Sequence, residues 1–445
     1  MRQFFQNLYP FGSSRAPRNP LDREQQPPSR AVSELTSPAA AVHSRSLEHS
    51  ILSFAVDLYR QLSLATGNAG SQQESATSIS IGNDKDGVTT AVAPDNLAFS
   101  PFAVAAALSM TLAGARCRTA KELASALHVR DDDQVHGQFA AQLAQTASRA
   151  LKVTFEVTNR MYADRQYHVL EGYLSFLRDT YGDGTVRSVG FAEHHREVRA
   201  EANEHVARLT ANTVRELLAA DSIGPGTVLA LVSAAYFYGA WESPFQPVFT
   251  GPDEFYVDSE TVVRVDMMTQ MHSFAMSHCD QLQATALEIP HLGGKTAMIF
   301  LLPDEMGGLR TLEQNLTAAR LSDLLHGLRE RPNVMLKLPK FVVQQSLRLR
   351  DALGAMGVRE LFTARANLSG IFETGSPNLS DVFHGAFLHV NEEGTGSTSP
   401  GTDYVAGGGP GMGDITHFAV NRPFMILIGP RRSSIFFLMG SVRRP

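Results

Sequence analysis

The sequence predicts an α+β fold, in which helices and strands occupy separate stretches of the chain. Three observations carry that expectation. Helical periodicity gathers early and short strand signals gather late, without the alternating β-α units of a parallel-sheet protein. A nearly continuous apolar run over Thr227–Tyr238, rich in β-branched and aromatic residues, fits a strand buried on both faces. With 445 residues, 43% of them hydrophobic, the chain can bury a large core.

Taken in order, residues 1–45 are rich in Pro, Arg and Ser, lack apolar periodicity and read as a disordered extension. Order begins where Ile51, Leu52, Phe54, Ala55, Leu58, Tyr59 and Leu62 mark one helical face. Residues 66–95 are mostly Gly, Ser, Thr, Asn and Asp, and read as a flexible, solvent-exposed insertion within a domain spanning 46–445. Pro101 opens a helix through Ala113, since proline suits the first turn. Thr119-Ala120-Lys121-Glu122 has the spacing of a capping box for the next helix. A long helical stretch is predicted over 191–218. After the buried strand, strand signals follow at 262–268, 284–289, 296–302, 334–342, 384–391, 423–428 and 434–439. The sequence contains no internal repeat.

Bulk properties exclude several functions. Thirty-nine basic against 45 acidic residues give a net charge of −6, which argues against general nucleic-acid binding. Two cysteines, Cys117 and Cys279, cannot form a disulfide framework, and two free thiols are expected. The N-terminal decapeptide has no continuous apolar core, so no signal peptide is read there and a cytoplasmic location is favoured over export by another route. Three arginines and no acid in residues 1–20 are a weak transit-peptide pattern, set aside for a disordered tail. No stretch of 18 apolar residues occurs, so no membrane-spanning helix is expected.

Signatures of catalysis are missing too: there is no Gly-x-Ser-x-Gly elbow, no His-Glu-x-x-His and no phosphate-binding Walker loop. Asp131-Asp132-Asp133 reads as acids suiting a helix start rather than a metal site. His194-His195 reads as a solvated face, and Gly407-Gly408-Gly409-Pro410-Gly411 as loop. No catalytic residue, metal or cofactor is expected.

The positive signal is a series of motifs. They are Asn96-Leu97-Ala98-Phe99-Ser100-Pro101, the run from Met110 to Glu122, and Leu231-Val232-Ser233-Ala234-Ala235-Tyr236-Phe237-Tyr238-Gly239-Ala240-Trp241. Leu338-Pro339-Lys340-Phe341, Leu353 to Phe362, Ser380-Asp381-Val382-Phe383-His384 and the terminal Phe437 to Pro445 follow. Phe383 to Thr395 then leads into a loop of small residues and returns at Phe418-Ala419-Val420-Asn421-Arg422-Pro423-Phe424. In content and order these motifs resemble the serpin family over roughly residues 48–445. The resemblance implies eight or nine helices on three sheets, and an exposed reactive-centre loop at about 394–416. It departs from the family pattern at Cys117, where a glycine is typical, at Ala103, where a serine is typical, and at Ser233, where an asparagine is typical. The last two remove hydrogen-bonding capacity, and one net bond contributes roughly 1 kcal/mol.

By the same resemblance, Trp241, the only tryptophan, covers the top of the central sheet where an inserting loop must enter. Lys340 and Glu392 look like an ion pair at that entry point. A solvated pair contributes only about 0–1 kcal/mol, so its value lies in gating. Ser100, Ser233 and His384 resemble a cluster that holds two strands together under the sheet centre. Glu392, Glu393, Gly394, Thr395, Gly396, Ser397, Thr398, Ser399 and Pro400 form the hinge.

The implied activity is suicide inhibition of a serine or cysteine endopeptidase, in which the cleaved loop inserts into the central sheet. The alternative is a non-inhibitory carrier, chaperone or scaffold. Gly396 stands where an acid is usual, while Pro400 and Gly401 stand where alanine-like residues are usual, and proline cannot donate to a β-ladder. The family spacing counted from Glu392 puts the cleaved bond at Gly408-Gly409, and counting back from Pro423 puts it at Met412-Gly413. The second is preferred because methionine fills an apolar pocket. No Arg or Lys lies between Glu393 and Asn421, which points to an elastase-, chymotrypsin- or subtilisin-like partner. A monomer is expected.

Overall fold

In the computed structural model the described residues are 38–69, 96–129, 134–146, 153–396 and 414–445. By their contacts Val42–Pro445 form one unit. The elements before the central strand are α1 (Pro38–Ala69), β1 (Leu97–Phe99), α2 (Pro101–Gly114), α3 (Cys117–Ala126), α4 (Gln134–Thr146), β2 (Val153–Asp164), α5 (Glu171–Tyr181), β3 (Val186–Val189) and α6 (Phe191–Leu209). The central strand itself is β4 (Leu229–Ala240). Then come β5 (Thr250–Tyr256), β6 (Val262–Cys279), β7 (Ala284–Pro290), β8 (Thr296–Pro303), α7 (Leu309–Asn315), α8 (Ala318–His326), β9 (Arg329–Pro339), β10 (Phe341–Arg348) and α9 (Arg350–Ala355). The chain closes with β11 (Val382–Val390), β12 (Gly394–Thr395), β13 (Thr416–Ala419), β14 (Phe424–Pro430) and β15 (Leu438–Val442).

A six-stranded sheet runs β10-β11-β12-β4-β2-β3, and a larger one runs β1-β15-β14-β8-β7-β6-β9-β13 with β5 on β6. The expected α+β fold holds, and two of the three expected sheets are continuous, through the long strand β6, as the larger sheet. The first part of β6 pairs with β5, its last part with β7, and β9 covers its other edge across a bulge between His272 and Phe274.

The core follows from the alternation of side chains along β4. Leu231, Ala235 and Phe237 join the main cluster between the sheets, where Phe155 stacks on Phe437 with ring centres 4.1 Å apart. Ala230, Val232 and Ala234 point the other way, to a second cluster under Val198, Ala202 and Val206 of α6. This is the strand buried on both faces that its composition predicts.

Several local expectations are corrected. The boundary at residue 45 falls inside α1, which begins at Pro38, and α1 runs to Ala69, past the expected start of the 66–95 insertion. Residues 70–95 lie outside the described residues, as do Asp131-Asp132-Asp133 and Gly407-Gly408-Gly409-Pro410-Gly411. Thr119 is no capping residue, because α3 begins at Cys117. Its hydroxyl donates to Glu360 Oε2 at 3.0 Å, and the Glu122 carboxylate accepts from the Arg359 and Glu360 amides at 2.9 and 2.7 Å. Both side chains thus bind a distant segment rather than their own helix end.

The helix expected over 191–218 stops at Leu209. Thr210 Oγ1 donates back to the Val206 carbonyl at 2.8 Å and accepts from the Val214 amide at 3.1 Å, while Ala211 and Asn212 take positive φ. The chain turns there instead of continuing. The signal at 334–342 divides into β9 and β10 at Lys340, and the 434–439 strand is shifted to Leu438–Val442. The 12-residue β2 has no counterpart among the expected elements. His194 is exposed as expected, whereas His195 is half-buried. Cys117 and Cys279 are free thiols.

Candidate functional site

Two positions along the seam between β4 and β11 collect the residues singled out above. In its lower part the seam is a parallel pair, with Val382–Phe387 opposite Leu231–Tyr236. Here His384, fully buried, lies opposite Ser233. The Ser100 amide donates to His384 Nε2 at 2.9 Å, so that nitrogen carries no proton, and Nδ1–H donates to Ser233 Oγ at 3.0 Å. Burial pushes the imidazole down to about 3, which keeps it neutral. The Ser100 hydroxyl is the N-cap of α2 and accepts from the Ala103 amide at 3.1 Å. The serine at 233 therefore still makes a bond across the seam. Asn159 on β2, unforeseen in the sequence, donates to the Ala103 carbonyl at 3.0 Å and ties the same helix to the sheet.

At the upper end the seam is occupied. After β11 the chain turns over Asn391–Glu393, with Asn391 Oδ1 accepting from the amides of Glu393 and Gly394 at 3.1 Å each. It then re-enters the sheet as β12, between β11 and β4. Thr395 pairs with Val390 on one side and Gly239 on the other, and Gly394 with Ala240. The Gly396 amide donates to the His389 carbonyl at 2.7 Å. Gly394, Thr395 and Gly396 are all buried. The expected exposure of the loop from residue 394 is thus corrected: main-chain bonds on both sides hold its first three residues in the sheet.

Glycine is required twice here. A Cβ at 394 would lie 2.3 Å from the Gly239 carbonyl oxygen. At Gly396 φ is +117°, and a Cβ would meet the Tyr238 ring at 2.7 Å and its Cα at 2.9 Å.

Trp241 covers this docked turn. Its indole N–H donates to the Asn391 carbonyl at 3.0 Å and its amide to the Glu393 carbonyl at 2.9 Å. Lys340 Nζ lies 3.3 Å from Glu392 Oε2, at the break between β9 and β10. Beneath the indole, and unforeseen in the sequence, lies His291. Its ring is parallel to the indole within 9° at 5.1 Å, and its Nε2 is 3.2 Å from Thr395 Oγ1. Gly239 makes room for it, since a Cβ there would sit 2.6 Å from the imidazole. A cramped glycine beside a buried tryptophan is the one sequence signal of such a neighbour, and it does not say which residue that is.

The structure therefore brings Trp241, Lys340, Glu392, Glu393, Gly394, Thr395 and Gly396 together at one end of the seam, and Ser100, Ser233 and His384 lower down. Ser397, Thr398, Ser399, Pro400, Gly401, Gly408, Gly409, Met412 and Gly413 lie outside the described residues. No group of three metal-ligating side chains occurs among the described residues, and no described helix is long and apolar enough to cross a membrane. Chemically, the arrangement is a sheet with a started strand and a buried polar clasp, and it is suited to admitting more strand.

Comparison with known proteins agrees with that geometry. The family model described as Serpin (serine protease inhibitor) matches residues 87–445. Iris of Ixodes ricinus is 41% identical over 398 residues, covering 89% of this chain and 99% of the relative. Leukocyte elastase inhibitor A of Mus musculus is 31% identical over 360 residues, covering 79% and 93%. Uncleaved ovalbumin shares the fold with a TM-score of 0.77 at 24% identity, covering 90% of this chain and 100% of its own. The chain belongs to the serpin family, a family of protease inhibitors rather than of enzymes.

Proposed function

We propose that the protein is a suicide inhibitor of a serine endopeptidase of apolar, non-trypsin-like specificity. The observation that carries this reading is the docked hinge. Gly394 and Thr395 already form the first rungs of a strand between β4 and β11, so insertion only has to extend downward along the seam. In the reaction the protease serine attacks the carbonyl of the residue before the cut. The peptide C–N bond breaks, the new amine leaves with a proton, and the loop remains esterified to the enzyme. Insertion must then outrun hydrolysis of that ester.

Each seam residue has a role in this reading. The Lys340–Glu392 pair and Trp241 hold the entry point. The Ser100–His384–Ser233 clasp resists parting of β4 and β11 until the loop arrives. Met412-Gly413 is the proposed cut, with Gly408-Gly409 the alternative register. A relative named as an elastase inhibitor supports an elastase-like target. The site of action is read as cytoplasmic, and one relative is named an intracellular coagulation inhibitor.

Pro400 and Gly401 support a second reading, a non-inhibitory serpin whose loop is cleaved without trapping the enzyme. Incubation with elastase-, chymotrypsin- and subtilisin-like proteases, followed by denaturing electrophoresis, mass spectrometry and thermal unfolding, separates the two. An inhibitor gives a covalent complex stable to denaturant, a cut after Met412, and a cleaved form melting clearly higher. Cleavage without complex or thermal gain sinks the inhibitor reading, and a dominant cut elsewhere sinks the register.

A further inference from the structure

We propose that His291 is a proton-operated latch on the hinge: neutral, it holds Thr395 in the sheet, and protonated, it lets Gly394–Gly396 leave. This rests on the reading of residues 392–396 as an insertion hinge.

The geometry sets out how the latch is built. Thr395 Oγ1 donates to Met298 Sδ at 3.9 Å, so it accepts from His291 Nε2–H. Thr296 Oγ1, 3.3 Å away, faces Nδ1 and can donate to it. One neutral tautomer therefore satisfies the three side chains in a line. The ring is fully buried, with Trp241 on one face and Phe237 at 5.0 Å. The indole and phenyl faces favour a cation, yet burial outweighs them and pushes the imidazole from 6.5 down to about 3.

Charged and titratable groups lie on the elements next to the site, His389 on β11 among them. On β4 and just beyond it are Tyr236, Tyr238 and Glu242, and on the turn from β7 to β8 and its neighbour are Glu288, Lys295 and Arg431. Glu392 and Glu393 lie on the hinge and Lys340 before β10. Glu288 is engaged by Arg431 at 2.7 Å and Glu392 by Lys340 at 3.3 Å, while Glu242 and Lys295 are exposed. The side-chain partners of His291 are the two threonines, and a Thr296 backbone contact is the one interaction that favours its cation, so no carboxylate stabilises it in place.

Undocking Thr395 removes a wall of the cavity and lets water reach the ring. A proton is then bound more tightly by the undocked form than by the docked one. Docking is therefore complete above pH 6.5 and weakens as pH falls below it. With 6.5 for the hydrated ring and about 3 for the buried one, the docked population falls relative to the undocked by about thirtyfold at pH 5.

Trp241, being the only tryptophan, reports on this site directly. The test is hydrogen exchange of peptides covering residues 389–396, at pH 7.5 and 5 with rates corrected for intrinsic exchange, alongside tryptophan emission, on the full chain without protease. The wild type should lose protection by about thirtyfold at pH 5, with an emission change over the same range. His291→Gln should show neither pH dependence. Thr395→Val, which keeps the imidazole but removes its acceptor, should be less protected than the wild type at both pH values. Equal protection at both pH values in the wild type, or the same pH dependence in His291→Gln, overturns the latch. Because no protease is present, either result is independent of whether the chain traps an enzyme.

Discussion

Gly396 shows how a single residue changes meaning between sequence and structure. Read along the chain, it is a glycine where an acid is usual. In the fold it is the residue whose φ of +117° and missing Cβ let the chain pass Tyr238 with the hinge docked. Gly396→Glu should therefore expel Gly394 and Thr395 from the sheet rather than ease insertion, because the strain and the 2.7 Å contact act on the docked state alone. Limited proteolysis or hydrogen exchange at residues 391–396 checks this, and unchanged protection would contradict it. Pro400→Ala, made alone, is then the clean test of the hinge, and a higher ratio of complex to cleaved product is expected. Trp241, Lys340, Glu392 and His384 were legible because each sits in a motif. His291, Asn159 and Asn391 were not, because their roles depend on which strand lies beside which.

At the scale of elements, the seam between β4 and β11 is the part on which the function turns. Six residue pairs hold it, and Ala235 faces Ala386 in the middle. Both are small and buried, so Ala235→Cys with Ala386→Cys places two thiols across the strands, in a background with Cys117 and Cys279 replaced by serine. Oxidised, this variant should be cleaved without forming a complex, since the strands cannot part. Reduced, it should regain at least part of the wild-type ratio, and identical behaviour in both states would mean that the seam does not open. Here too the sequence told only part of the story. The apolar run of β4 announced a strand buried on both faces, and Pro101 announced α2. β2 went unread because five of its first eight residues are polar or charged, and its place is fixed by main-chain pairing with β4 along 11 residues. The far end of β6 was missed for the same reason: ladder bonds to β7 and β9 do not depend on apolar side chains.

For the molecule as a whole, fold class and motif order were legible because seven short segments, spread over both sheets and the helices beside them, each keep a recognisable run of residues. What the sequence left open was the resting position of the loop. Among the described residues, the fully buried imidazoles of His291 and His384 are each pushed down to about 3 by burial. In the unfolded chain both bind protons near pH 6.5, so between those values the unfolded state holds more protons and stability rises with pH. The contribution is complete above pH 6.5 and lost as pH falls below it, by about 2 kcal/mol per imidazole at pH 5. Urea unfolding at pH 7.5 and 5 should show that loss, to which His205, lowered to about 4, also contributes, and His384→Gln should recover part of it; an unchanged difference would rule His384 out. A final consequence belongs to the docked turn. A sheet that can admit one more strand is a template for any strand, including one from a neighbouring molecule. Gly394 and Thr395 stopper the mouth of that slot with the chain's own backbone, so an intruder finds the first rungs taken. The residues that start insertion within one molecule also guard against chains linking end to end, and acidification that loosens the stopper should promote such linkage.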